Sequence, residues 1–269
     1  MKLRLGGMAL RNGLLVHGPT HWAAAIRDRD GNIKVASGSK PTLGDVRVPG
    51  VRGVAKLAEA FLVIPLVKRA LPAAKLPMQD VRTLGAMAAA GAAGRALRGS
   101  GASRSLSREA AVGVISLLPA MAALRTGDLA SYHGVEHKSI AAYEQDGEAA
   151  DASKEHDRCG SNLVAPMLAS TAIGNVAIRR AGFAGPAAEG AVALGSMALA
   201  VEVFAWSERH SETTLAKALR RPGYEIQRLL GTREPTAEQL EVGRAALDEI
   251  LRVEGAPAVE DDDPVPSVT

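Results

Sequence analysis

Hydrophobic and polar positions divide the chain into a β-like opening, a low-charge middle and a polar end. Apolar and polar residues partly alternate over His21–Arg27, turn residues follow at Asp28–Asn32, and an apolar run resumes at Ile33–Ala36. Alternating runs that flank an Asp-Gly turn are typical of paired strands. The segment 1–50 is therefore predicted to form β structure and loops.

A helical pattern begins near Arg52 and continues to Ala70, before Pro72 interrupts it. The segment 51–80 is thus predicted to be an amphipathic helix with a linker. Four later stretches carry little charge: Leu84–Leu97, Ala110–Leu124, Leu163–Ile178 and Phe183–Trp206. A membrane span needs roughly 20 predominantly apolar residues, so only the last is long enough by itself. The shorter stretches fit buried core helices as well as spans.

Four spans would form two helix pairs, over residues 81–125 and 163–207. The N-terminal segment, the loop 126–162 and the C-terminal segment would then lie on one side of the membrane. Arg98, Arg104 and Arg108 would face the other side, against the positive-inside tendency.

The segment 208–254 is predicted to be helical and to end in a polar helix. Thr236 follows Pro235, and Gln239 stands three residues later as its capping-box partner. Apolar residues then recur on one helix face. The remaining residues, 255–269, are rich in proline and acid and are predicted to be disordered.

Composition excludes several classes of protein. Hydrophobic residues make up 47% of the 269 positions but aromatic residues only 3%. The net charge of +3 is spread along the chain without a basic stripe, which argues against nucleic-acid binding. The single cysteine, Cys159, excludes an intramolecular disulfide. Met1–Gly13 has no continuous apolar region, so no removable signal peptide is expected.

The strongest chemical signal is the segment Tyr132–Lys138. In a helix, His133 and His137 stand one turn apart, and Glu144 projects from the same face three turns on. Two imidazoles and a carboxylate predict a divalent metal site, with zinc a candidate. The H-x-x-E-H spacing would make Glu136 the catalytic acid or base. Alternatively, these histidines bond backbone or carboxylate groups without any metal.

A glycine inside this helix, Gly134, costs about 1 kcal/mol relative to alanine. Its presence suggests that another group approaches the helix backbone closely.

A second cluster, His156–Cys159, can supply a nitrogen and a sulfur ligand. An ordinary loop with a buried thiol is the alternative. Joined to His133 and His137, this pair could close a four-ligand set, which would be structural, whereas a catalytic metal keeps one position open.

Other polar residues give weaker signals. His17 and His21 flank a Gly-Pro-Thr turn; they could line a site, but an exposed loop is expected. Glu189 and Glu202 lie within an apolar stretch, where intramembrane carboxylates can mark a transport pathway. Neither a phosphate-binding glycine loop nor a G-x-S-x-G turn is present in the sequence.

Several of these blocks resemble the YqhQ-like bacterial proteins, a family of unknown function described as predicted metal-dependent enzymes. Tyr132–Lys138 fits its Y-H-G-x-E-H-K block, and His156–Gly160 fits H-x-R-C-G. Similar closing motifs are Pro222-Gly223, Gln227, Thr232–Pro235 and Gln239–Val242. The opening Gly6–Pro19 can be laid on a G-G-Q-A-V-I-E-G-V-M-M-R-G-P pattern.

The resemblance implies a multi-pass protein of the bacterial inner (cytoplasmic) membrane. The chain departs from the opening pattern at three positions: Met8 replaces glutamine, Asn12 replaces glutamate and His17 replaces arginine. Any role of the acid at position 12 would be lost in this chain.

Together these observations predict a mainly α membrane protein. It has about four transmembrane helices, a small N-terminal β element and a C-terminal cytoplasmic helix. The predicted metal ligands are His133, His137, Glu144, His156 and Cys159.

The first functional hypothesis is a metal-dependent enzyme of hydrolase type, with Glu136 as the catalytic residue. The second is a non-enzymatic membrane scaffold or regulator that holds a structural metal or a polar network. A transporter is the third. The lipid bilayer is the expected partner, and the sequence identifies no substrate, protein partner or oligomeric state.

Overall fold

The N-terminal segment forms a four-stranded antiparallel meander, as the alternation predicts. The computed structural model describes residues 2–44, 46, 48, 50–77, 79, 81–99, 105–125, 127–183 and 185–255. The strands follow chain order in the sheet and are β1 (Gly6–Leu10), β2 (Gly13–His17), β3 (His21–Arg27) and β4 (Ile33–Ser39). The turn at Gly31, with a φ of 87°, joins β3 to β4.

The rest of the described chain is mainly helical. The helices are α1 (Val51–Ala70), α2 (Val81–Arg98), α3 (Leu106–Arg125), α4 (Leu129–Gln145), α5 (Val164–Arg180), α6 (Pro186–Arg209), α7 (Thr214–Ile226) and α8 (Ala237–Glu254). A 3-10 turn, Gly160–Leu163, precedes α5, and a π turn, Gln227–Gly231, follows α7.

The sheet, α4 and α8 form the core of what we call the lobe, with α1 on the other face of the sheet. Val16 and Ala25 of the sheet pack with Val135 of α4 and Ile250 of α8. On the opposite face, sheet side chains such as Leu15 and Ile26 pack with the second half of α1. Each fully buried side chain of this size contributes about 1.5–3 kcal/mol.

Helices α2, α3, α5 and α6 form a separate group, the apolar bundle, in which α2 packs on α3, α3 on α5 and α5 on α6. In the part of the chain that the structure describes, three helical segments are long and apolar enough to cross a membrane: Leu106–Arg125, Gly160–Arg180 and Pro186–Arg209. About four such helices were expected, and three of the described helices meet this criterion. Helix α2 is built largely from alanine and glycine and carries Arg82, Arg95 and Arg98, so it is less apolar than the others.

Ion pairs join the helices at the end of the bundle where α2 and α5 finish. The guanidinium of Arg98 lies 3.1 Å from Glu109 of α3 and 3.8 Å from Glu189 of α6. Arg179 of α5 lies 3.3 Å from Glu189. Arg98 is one of the three arginines that conflict with the positive-inside tendency, and its charge is paired here; Arg104 lies outside the described residues.

Helix α8 begins as predicted. The Thr236 hydroxyl accepts from the Gln239 backbone N–H, and the Gln239 side chain accepts from the Thr236 N–H, which completes the capping box. The helix ends at Gly255, whose φ of 68° is left-handed. The predicted disordered tail lies outside the described residues from 256 onwards.

Candidate metal centre

Helix α4, which carries His133, Glu136 and His137, is surrounded by protein. Residues from Leu129 to Tyr143 are buried, apart from a partial exposure of His133. The carbonyl oxygen of Arg233 lies where a side chain at Gly134 would stand, and the Arg233 N–H donates to the Ala130 carbonyl at 2.9 Å. Gly134 therefore allows the backbone at Arg233 to approach α4 closely, as the glycine in this helix suggested.

Two backbone carbonyls orient the imidazoles of α4. Nδ1 of His133 lies 2.8 Å from the Gly231 carbonyl, and Nδ1 of His137 lies 2.6 Å from the Lys154 carbonyl. Because a carbonyl only accepts, both Nδ1 atoms carry a proton, and in the neutral rings each Nε2 atom then keeps a lone pair. This is the arrangement that orients metal-binding histidines in proteins.

The thiol of Cys159 joins the two imidazoles. Its sulfur lies 3.4 Å from Nε2 of His133 and accepts from the Ser161 N–H at 3.5 Å at the start of the 3-10 turn. The ligand atoms of His133, His137 and Cys159 all lie within 4.8 Å of one another. Two nitrogens and one sulfur at this separation suit zinc and similar ions.

His137 supplies a direct test of whether these residues fit a metal. Its Nε2 is buried and has no hydrogen-bond partner among the described residues. Burial lowers the pKa of His137 and outweighs the opposing effect of Cys159. The neutral imidazole that results is the form that binds metals, and a metal would satisfy its unpaired nitrogen.

The carboxylate of Glu136 lies under strand β1. Burial raises its pKa, while His133 and His156 oppose the shift. A Cβ at Gly7 would stand 2.6 Å from Cγ of Glu136, so only glycine leaves room for this side chain. Gly7 therefore has a packing role that the sequence pattern did not reveal.

Glu144 and His156 lie beside the His133/His137/Cys159 group but pair with each other. Nε2 of His156 lies 3.4 Å from Glu144, and Arg158 also bonds this carboxylate. Burial raises the pKa of Glu144, but the hydrogen bonds from His156 and Arg158 outweigh it and leave the pKa below its usual value. The His137 and His156 ring centroids are 5.7 Å apart. Helical spacing alone had placed Glu144 with the two imidazoles of α4.

Several residues that support the centre were not identified as functional from the sequence. Buried Gln227 accepts from the His156 N–H at 2.8 Å and donates to the Ser161 hydroxyl at 2.9 Å, which fixes the loop that carries Cys159. Glu234 lies 2.6 Å from the buried ammonium of Lys138. Both residues belong to the closing motifs that resemble the YqhQ-like family, and that resemblance was the sequence signal that could have identified them.

The three departures from the opening pattern lie away from these ligands. Met8 packs on the α1 face of the sheet. Asn12 accepts from the Lys75 N–H at 2.9 Å and donates to the Arg27 carbonyl at 2.9 Å, which is a turn-stabilising role. His17 was expected in an exposed loop. Instead it is the last residue of β2 and is largely buried, because side chains alternate along the strand and that of His17 points to the α1 face of the sheet.

Comparison with known proteins gives one match. A family model described as "Protein of unknown function (DUF1385)" matches residues 103–253, more than half of the chain, from α3 through α8. No curated protein and no solved structure matches the chain.

Proposed function

The chain belongs to the DUF1385 family, whose function is unknown, and from its own residues we propose that it is a metal-dependent membrane hydrolase. In this proposal His133, His137 and Cys159 hold a divalent metal, with zinc the best match to the donor set. Glu136 acts as the acid or base.

The buried Nε2 of His137 carries the proposal. The backbone holds Nδ1 of both imidazoles, so their Nε2 atoms are left to face the Cys159 sulfur. A buried nitrogen without a hydrogen-bond partner costs about 1–3 kcal/mol, and a bound metal would remove this cost. In metal sites, a hydrogen bond from the other ring nitrogen to a carbonyl, as both histidines make here, raises the basicity of the metal-binding nitrogen.

The number of ligands favours catalysis over a purely structural metal. Among the described residues three side chains form the group, which leaves a position for water or substrate, as in catalytic zinc sites. A metal there would act as a Lewis acid on a carbonyl or phosphoryl oxygen. Glu136 lies one turn from His133 on α4, and its raised pKa suits a group that takes up and releases a proton.

Glu144, His156 and Arg158 take a positioning role in this proposal. They tie the loop before Cys159 to the end of α4, so the sulfur stays close to the imidazoles. Direct ligation by Glu144 or His156 would require each to leave its present partner.

The apolar bundle supports placement in a bilayer. Large apolar side chains on its surface remain exposed, including Leu194 at 68%, Phe183 at 64% and Ile173 at 59%. Single exposed leucines are ordinary, but whole helix faces of them suit lipid. We propose that α2 is a fourth pass, that the membrane is the bacterial inner membrane, and that the lobe with its C-terminal helix lies on the cytoplasmic side.

A scaffold or regulator is the second candidate function, and the polar network around Lys138 favours it. The buried ammonium donates to the Ala150 and Ala152 carbonyls at 2.9 and 2.7 Å and pairs with Glu234. Such a network can hold the lobe in one shape for a partner. The transporter hypothesis has less support, because Glu189 and Glu202 stand about 20 Å apart along α6 and each has its own partner.

Metal analysis tests the site first. We expect about one equivalent of zinc or a similar metal in the detergent-purified protein, and almost none in the variant His133→Ala/His137→Ala. His210→Ala is the matched control, because His210 is exposed at the end of α6. Equal metal content in both variants would contradict the assignment.

Turnover then separates the two candidate functions. The zinc-loaded protein is assayed on p-nitrophenyl esters and phosphates beside Glu136→Gln, with Glu225→Gln as a control on α7. Loss of about 100-fold in Glu136→Gln with metal retained supports the hydrolase. A fully loaded wild type without turnover on any of these compounds favours the scaffold.

A further inference from the structure

A cavity of about 500 Å³ lies on the α1 side of the sheet. Its floor includes the ends of β1 and β2, where Gly6, Gly7 and Gly18 contribute no side chains. Its wall is α1, and the Gly7 backbone separates it from Glu136. This cavity is therefore distinct from the metal centre.

Basic side chains line the cavity. Arg4 pairs with Glu208 at 2.6 Å, and Lys56 pairs with the buried carboxylate of Glu59 at 2.9 Å. The Lys40 ammonium donates to the Gly18 carbonyl at 2.9 Å, and Glu59 and Glu254 are near enough to oppose the lowering of its pKa by burial. Lys40 thus brings a positive charge that these two carboxylates offset only at a distance, without an ion pair in the described part of the chain.

His17 also lines the cavity, and its chemistry points to a ligand. Its Nδ1 is buried and has no hydrogen-bond partner among the residues described. Burial, with a smaller contribution from Lys40, lowers its pKa to about 4, so the imidazole is neutral near pH 7. A neutral ring beside an ammonium group can bond a phosphate oxygen without adding a charge that must be buried.

The cavity stands beside the lobe end of α6. A Cβ at Gly53 of α1 would meet Val201 of α6, and the Gly50 N–H donates to Glu202 at 2.8 Å. Arg4, on the cavity wall, reaches Glu208 near the end of α6. The membrane boundary of α6 therefore lies close to the cavity.

Apolar side chains complete the lining. Met8, Leu57 and Phe61 lie beside the basic groups, and Phe61 is 55% exposed. A cavity that joins cations to an apolar wall at a membrane boundary fits a molecule with an anionic head and an apolar body.

We propose that this cavity binds the phosphate of an anionic phospholipid headgroup. Lys40, Lys56 and His17 contact the phosphate oxygens, while Leu57 and Phe61 contact the glycerol and the first acyl carbons. Basic pockets beside membrane helices bind anionic headgroups by this combination of charge and apolar contact. The inference rests on the proposed placement of the apolar bundle in a bilayer, but it goes beyond the proposed hydrolase and needs no metal.

Thermal unfolding of the full chain in neutral detergent tests the proposal. We expect phosphatidylglycerol to raise the unfolding midpoint in a saturable way, and phosphatidylcholine to leave it unchanged. Lys40→Gln should weaken the apparent affinity for phosphatidylglycerol by about tenfold or more, because a charged hydrogen bond is lost. Lys34→Gln is the matched control, since Lys34 is an exposed lysine on the same sheet.

Inorganic phosphate distinguishes the source of the anion. Stabilisation by phosphatidylglycerol that depends on both Lys40 and Phe61, tested as Phe61→Ser, supports a lipid. Lys40-dependent stabilisation by inorganic phosphate alone keeps the anion site but overturns the lipid. Lack of stabilisation by either compound, or equal loss in Lys40→Gln and Lys34→Gln, overturns the site.

The metal-centre variant His133→Ala/His137→Ala keeps this test separate from the proposed function. It should retain the phosphatidylglycerol effect even if its metal is gone. Loss of the effect in that variant, while Lys40→Gln keeps it, would move the lipid response to the metal centre and refute the cavity assignment.

Discussion

Helices α4 and α6 have opposite relations between polarity and burial. Helix α4 carries His133, Glu136, His137 and Lys138, yet almost all of it is buried. Helix α6 is much more apolar, yet only 11% of its most apolar window is buried inside the protein. The difference shows that the two helices are built for different surroundings.

Helix α4 can be buried because the lobe satisfies its polar groups. The two imidazoles and the lysine reach backbone carbonyls, so burial leaves few of its donors without partners. Helix α6 has internal backbone hydrogen bonds and apolar side chains, which is what a bilayer requires of a spanning segment. Protein surrounds the first helix, and we propose that lipid surrounds the second.

The largest expected effect comes from adding the same side chain to a glycine in each helix. Gly134→Val should destabilise the lobe by more than about 3 kcal/mol, because the Arg233 backbone occupies the space. Gly195→Val should change stability by less than about 0.5 kcal/mol, because its surroundings are open. Urea unfolding in detergent measures both variants. Similar values for the two would remove the contrast between the helices.

A charge placed on each region is the next test. Leu194→Asp in α6 should cost about 3 kcal/mol in membrane insertion, as an aspartate does at the centre of a span. A glycosylation reporter in the full chain measures this insertion free energy. Val35→Asp on β4 is the control, since Val35 is 42% exposed in the lobe and should leave insertion unchanged. An α6 that tolerates aspartate would argue for water rather than lipid at its surface.

His17 sharpens the contrast within the lobe, because it is buried without the carbonyl acceptors that His133 and His137 have. Its folded pKa of about 4 lies below 6.5, so the unfolded chain binds more protons between these values. The stability that neutral, buried His17 contributes is therefore fully present above pH 6.5 and is lost as the pH falls towards 4. The gap between the folded and unfolded pKa values of His17 corresponds to a loss of about 3 kcal/mol in the free energy of unfolding at pH 4, at about 1.4 kcal/mol per pH unit.

The variant His17→Gln should lose less thermal stability than the wild type between pH 6.5 and 4. Above pH 7, where His17 is neutral, its stability should not depend on this titration. Thermal midpoints at pH 7, 5.5 and 4.5 measure the profile, with His210→Gln as the control. An unchanged acid slope in His17→Gln would show that other groups cause the loss.

The smallest expected effect concerns how the helices begin. Helix α8 of the lobe has the Thr236 capping box, whereas α6 begins at Pro186 without a side-chain cap. Thr236→Ala should cost about 1 kcal/mol in the free energy of unfolding, and Thr236→Ser should restore most of it. Equal stability of the alanine and serine variants would mean that packing on the sheet alone holds the start of α8.

Local patterns in the sequence determined most of the elements. Alternation and an Asp-Gly turn predicted β3 and β4, a helical pattern predicted α1, and the spacing of Thr236 and Gln239 predicted the cap of α8. These predictions of secondary structure succeeded because the strand and helix periods depend on residues that are close together in the sequence. The spacing of His133 and His137 likewise placed two imidazoles on one turn of α4.

Tertiary structure decided the rest, because it depends on residues far apart in the chain. Gly231, whose carbonyl orients His133, lies 98 positions away, and no local period can place it. Packing also paired Glu144 with Arg158 and His156, although helical spacing alone had put it with the metal ligands. The sequence by itself predicted five candidate metal ligands; the fold brings the ligand atoms of three of them, His133, His137 and Cys159, within 4.8 Å of one another.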